Sequence, residues 1–139
     1  MLSPDFQWLS NWFASSGVLV STTIQNRTPV ISVGTISELL LLREKILQAA
    51  GYTVFTTQNP EEAGFRIRNC ECGVLLLCYS VEDQWQRILI NDFREHCPQG
   101  RIVAITNHPV AETPKEVDEL VYGVEGPEAL MQAVRPKAA

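Results

Sequence analysis

The residues best able to do chemistry in this chain are its four cysteines, Cys70, Cys72, Cys78 and Cys97. A cysteine acts as nucleophile or redox centre through its thiolate, which a nearby cation or a helix N-terminus must stabilise. Cys78 stands near the end of an apolar run, Gly73-Val74-Leu75-Leu76-Leu77-Cys78-Tyr79-Ser80. A run that short suits a strand buried on both faces, and in open parallel sheets ligands gather beyond the carboxyl ends of the strands. The residues that other strand ends bring to Cys78 are Gly34, Thr35, Thr106 and Gly123, all neutral. Free cysteine is among the most buried residue types, so the sequence favours packing for Cys78 over redox or regulatory chemistry.

The remaining candidates are weaker. Cys70-Glu71-Cys72 and His96-Cys97 have zinc-ligand character, but C-x-C is a poorer pattern than C-x₂-C and the two segments lie at opposite ends of their helices. No metal or cofactor is expected. His96 reads as a helix C-terminal residue favoured by the dipole, and His108 as a loop residue. Asp83, in a first helical turn, and Asp92, on a solvated side, have no partner with which to hold a metal. Gly34 and Gly123 would leave an open pocket for a small ligand at adjacent strand ends, although the phosphate-cradling pattern G-x-G-x-x-G is absent. No set of acid, base and nucleophile assembles there, so no enzyme activity is expected.

Those candidates must be positioned by a single domain. The chain has 139 residues, 45% apolar and 19% charged, which is a globular composition. A net charge of -5 without clustered Lys and Arg argues against a nucleic-acid surface. No apolar run approaches the roughly 20 residues of a membrane span. The N-terminus lacks the basic start of a secretory signal, so the expected location is the cytoplasm, where thiols stay reduced.

Residues 1–28 read as an N-terminal extension: Phe6, Trp8, Leu9, Trp12 and Phe13 have approximately helical spacing, and residues 18–24 could form a short strand. From residue 29 to 139 strands and helices alternate. Strands are expected at 30–33, 52–56, 73–79, 101–106 and 120–124. Helices are expected at 38–50 with Ser37 as cap, at 60–68 with Asn59 as cap, at 82–96 and at about 127–135, with one helical turn at 115–119. Trp85, Ile88, Leu89 and Phe93 should share the buried side of the third. Right-handed crossovers then give an α/β fold: a three-layer, doubly wound, five-stranded parallel sheet, flavodoxin-like, in the order 2-1-3-4-5.

Over roughly residues 29–135 the chain resembles the receiver domains of response regulators. The resemblance rests on Leu47-Gln48-Ala49-Ala50-Gly51-Tyr52, Asn59-Pro60-Glu61-Glu62-Ala63, Phe93-Arg94-Glu95-His96-Cys97-Pro98 followed by Arg101-Ile102-Val103-Ala104-Ile105-Thr106, and Gly126-Pro127-Glu128-Ala129-Leu130. It implies a site with two acids after the first strand to hold Mg²⁺, an aspartate ending the third as phosphoacceptor, a hydroxyl ending the fourth and a lysine ending the fifth. The matching positions are Gly34 and Thr35, Cys78, Thr106 and Gly123, and only Thr106 keeps the family's type. The resemblance therefore implies a stand-alone pseudo-receiver: a non-catalytic signalling module that binds another signalling protein or a second copy of itself. Lys115, Val121 and Tyr122 would belong to its interface, with Thr106 and Tyr122 as a switch pair. A small-ligand or thiol-redox sensor around Cys78 is the alternative.

Overall fold

The computed structural model describes residues 28–69, 73–108 and 113–135. The sheet consists of β1 (Pro29–Val33), β2 (Thr53–Thr57), β3 (Val74–Cys78), β4 (Arg101–Thr106) and β5 (Glu119–Tyr122). They pair in the order β2-β1-β3-β4-β5, every pair parallel. β3 is the central strand, and all five of its residues are buried. Because alternate side chains point to opposite faces, Val74 and Leu76 enter one core and Leu75 and Leu77 the other.

Four described helices cover the sheet: α1 (Ser37–Ala49), α2 (Pro60–Asn69), α3 (Asp83–His96) and α4 (Pro127–Val134). Leu47 of α1 and Leu130, Ala133 and Val134 of α4 close one core; Ala63 and Ile67 of α2 and Leu89, Ile90 and Phe93 of α3 close the other. This is the expected three-layer architecture. Asn59 caps α2, its Oδ1 accepting from the Glu61 N–H at 3.0 Å. Gly51 follows α1 with φ 96°, a conformation that glycine alone adopts freely.

Several local expectations are corrected. Ser37 does not cap α1: the N-cap is Ile36, without a side-chain cap, and the Ser37 hydroxyl instead donates to Glu38 at 3.1 Å. Ile88 is exposed on α3, and Ile90 takes the buried place expected for it. β5 stops at Tyr122, leaving Gly123 and Val124 in a turn. Among the described residues no helix joins β4 to β5. Residues 115–116 form a turn instead, closed by the Val117 N–H donating to the Pro114 carbonyl at 3.1 Å. Arg94 holds that turn against α3 by donating to the Glu116 carbonyl (2.9 Å) and the Asp118 carboxylate (2.8 Å). Of the expected N-terminal extension, residues 1–27 lie outside the described residues.

Candidate functional site

The carboxyl end of the sheet is tied together by backbone and short polar side chains. The Thr35 N–H donates to the Ser80 hydroxyl at 2.9 Å, and Gln58 Nε2 donates to the Thr35 carbonyl at 2.9 Å. The loops after β1, β2 and β3 are thereby joined. Thr106 ends β4 in register with Tyr122 of β5, and its hydroxyl accepts from the His108 N–H at 3.1 Å. The Gly123 N–H donates to the Thr106 carbonyl at 2.8 Å.

Where an open pocket was expected beside Gly34, described side chains fill the space. Gly34 lies beside Cys78, and a Cβ added to it would meet the Cys78 Cβ at 3.0 Å and Leu40 Cδ2 at 3.2 Å. Leu40 reaches in from α1 and fills the space, leaving Cys78 2% exposed. Nor are Gly34 and Gly123 at adjacent strand ends: β3 and β4 stand between β1 and β5. Gly123 itself is exposed.

The surroundings of Cys78 are not neutral, as the strand ends alone suggested. Arg43, in the middle of α1, is only 7% exposed and directs its guanidinium to the Cys78 sulfur. Burial pushes the thiol up, the largest single effect. Hydrogen bonds from the Ser80 hydroxyl and N–H, the hydrogen bond from Arg43 and the Arg43 charge together outweigh it, so the thiol ionises below its ordinary value. Among the described residues no carboxylate forms an ion pair with Arg43. Two further polar groups share this face of the sheet by strand alternation: Ser32 and Thr56, in register, whose buried hydroxyls lack hydrogen-bond partners. Beneath α1 there is thus a polar seam of guanidinium, thiol and hydroxyls inside an otherwise aliphatic layer.

The other candidates have structural roles. Asp92 pairs with Arg68 at 2.8 Å, and His96 Nδ1 lies 3.0 Å from the Asp92 carbonyl at the end of α3. Asp83 is exposed in the first turn of α3. Cys97 is buried in the core beside Phe93, and Cys70 and Cys72 lie outside the described residues. Among the described residues no group of His, Cys, Asp and Glu could hold a metal ion. Of the expected interface residues, Lys115 is exposed and Tyr122 half-buried, but Val121 is 6% exposed and packs in the core, so it cannot be a contact residue.

No protein-family model and no curated protein sequence matches the chain. Solved structures do match. The Vibrio cholerae chemotaxis protein CheY4 is similar over 76% of this chain and 94% of its own, with a TM-score of 0.67 and 18% identity. The fold is that of a response regulator receiver domain. The Thermotoga maritima response regulator TrrA, solved in complex with Mg²⁺-BeF, is similar over 76% of this chain and 94% of its own, with a TM-score of 0.65 and 18% identity. A Burkholderia pseudomallei response regulator with a phosphorylated aspartic acid gives 0.67 and 15%, over 78% of this chain and 66% of that one. At such identities the receiver fold is what is shared, and the chemistry must be argued from this chain's own side chains. No described helix is long and apolar enough to cross a membrane.

Proposed function

We propose that the chain is a non-catalytic signalling module, a receiver-like domain of the cytoplasm that acts by binding another signalling protein, or a second copy of itself, without aspartyl phosphorylation. The observation that carries this reading is the pairing of Cys78 with the buried Arg43 at the end of β3. Receiver chemistry needs a carboxylate nucleophile there, two more after β1 for Mg²⁺, and a lysine after β5. This chain presents a thiol, Gly34 with Thr35, and Gly123. A guanidinium already set against the sulfur supplies the charge that a metal ion and lysine would otherwise bring, and Leu40 packs against Gly34. The exposed side of the turn at Lys115, β5 and α4 is the proposed contact face, with the register partners Thr106 and Tyr122 as its internal switch.

Melting with and without magnesium plus beryllofluoride, a mimic of an aspartyl phosphate, tests this reading. A ligand at 100 times its dissociation constant stabilises a fold by about 2.7 kcal/mol. The expected result is no shift. A shift that requires both components would mean that a carboxylate such as Asp83 serves as acceptor, and the reading would fail.

One specific observation favours a second reading. Arg43 supplies the cation that a regulatory thiol requires, so on this reading Cys78 senses an electrophile when the site opens locally. Alkylation of Cys78 in the folded chain at neutral pH, faster than that of Cys97, is the result expected on that reading.

A further inference from the structure

α2 and α3 lie side by side, and their outward faces leave a groove. One wall is Glu61, Phe65 and Arg68, the other Trp85, Ile88 and Asp92, and Gly64 lies between them with the Arg68 guanidinium over it. The cavity is about 410 Å³. Its walls are apolar side chains left in water: Phe65 is 61% exposed and Ile88 38%, with Trp85 half-buried beside them. Covering these side chains would remove apolar surface from water and favour a docked segment. The charged groups at one end, Arg68 and Asp92, are paired with each other at 2.8 Å, and Glu61 adds a carboxylate to the lining. The exposed Phe65 and Ile88 call for an occupant with apolar anchors.

We propose that this occupant is the chain's own N-terminal segment, residues 6–13, docking in cis. Phe6-Gln7-Trp8-Leu9-Ser10-Asn11-Trp12-Phe13 carries no charge and places Phe6, Leu9 and Phe13 at positions i, i+3 and i+7. That is the anchor spacing with which an amphipathic helix fills a groove between two others. The reach is sufficient. The described chain begins at Thr28, and the next residue, Pro29, accepts at its carbonyl from the Gly73 N–H at 2.9 Å, shortly after the end of α2 at Asn69. Residues 14–27 then have to cover a distance comparable to α2 itself, about 15 Å. As a flexible linker they span on the order of 20 Å, and fully extended about 50 Å. A tether of that length holds the segment at a millimolar effective concentration, so even a contact of modest intrinsic affinity is populated. Leu41 and Leu42 of α1 are also exposed but do not line this groove, so they supply a control. The inference stands apart from the signalling reading and from the chemistry of Cys78.

Hydrogen exchange on the full-length chain, read by mass over peptides covering residues 6–13, is the test. The wild type is compared with Phe65→Glu, Ile88→Glu and the control Leu42→Glu, each checked by melting for an intact domain. Phe65→Gln serves if the charged variant fails to fold. The proposal expects exchange in residues 6–13 to be slowed about tenfold or more in wild type and in Leu42→Glu, a factor equivalent to ~1.4 kcal/mol. Both groove variants should abolish that protection. It is overturned if the segment is unprotected in wild type, if protection survives both groove variants, or if Leu42→Glu removes it too. Protection that disappears on dilution would equally overturn docking in cis, because the occupant would then be a second copy.

Discussion

Replacing Gly34 by alanine probes how tightly the corner between β1, the end of β3 and α1 is packed. The Cβ would sit 3.0 Å from the Cys78 Cβ, 3.2 Å from Leu40 Cδ2 and 3.5 Å from Leu40 Cγ. Carbon atoms pack best about 3.5–4.0 Å apart, so the two nearest contacts are short by roughly half and a third of an ångström. Neither neighbour yields easily. Cys78 Cβ is fixed to the central strand, and Leu40 is 2% exposed under α1. Overpacking of this kind costs about 1–3 kcal/mol. Alanine also stiffens the unfolded chain, which returns about 0.4–1 kcal/mol. The expected net loss is about 1–2 kcal/mol, a fall in melting temperature of about 4–8 °C for a domain of this size. Gly34→Asp should cost more, since it adds a carboxylate to a space already filled. Denaturant unfolding of Gly34→Ala, Leu40→Ala and the double variant isolates the cause. With the Leu40 contacts removed, Gly34→Ala should cost less by about 0.5 kcal/mol or more. A neutral or stabilising Gly34→Ala, or strict additivity with Leu40→Ala, would refute the claim that Leu40 and Cys78 close this corner.

Two other perturbations have defined outcomes. Arg43→Met should move the Cys78 thiol back up, since burial remains and the cation is gone; thiolate ultraviolet absorbance, read against Cys78→Ser, should titrate at higher pH. The sign for stability follows. A folded thiol that ionises below the unfolded value of about 8.5 contributes stability that is fully present above that value and lost as pH falls through the lower folded one, so unfolding free energy should rise with pH across that window in wild type and less so in Arg43→Met. Asp118 is the acidic counterpart. Partial burial opposes its ionisation, but hydrogen bonds from the Ile102 N–H (2.7 Å) and Arg94, with the charges of Arg94 and Arg101, hold the carboxyl below the usual range. Its contribution is present above an unfolded pKa near 3.9 and lost as pH falls through the folded value. Asp118→Ala strands the N–H of the fully buried Ile102 and should cost about 1–3 kcal/mol at neutral pH, with a flatter acid limb in the pH–stability curve.

Much of the fold was written in local pattern. The unbroken apolar run of β3 announced a central strand, the Asn59-Pro60 pair opened α2, and the regular alternation led to the order 2-1-3-4-5. That Cys78 ends the central strand was legible on the same basis. The link between β4 and β5 was less so, because a turn stapled by Arg94 from a distant helix obeys no local period.

What the sequence determined by itself was the succession of elements and the residue types at the strand ends. What only the tertiary structure decided was the rotation of α1. Four consecutive leucines, Leu39 to Leu42, leave a helix without a marked apolar stripe, so their pattern does not say which side faces the sheet. Packing turned Leu40, Arg43 and Leu47 inward and left Leu41 and Leu42 in water. That choice placed Leu40 against Gly34 and a guanidinium against Cys78. The contact joins residues 35 positions apart, and periodicity within one helix carries no information about what the neighbouring strand presents to it.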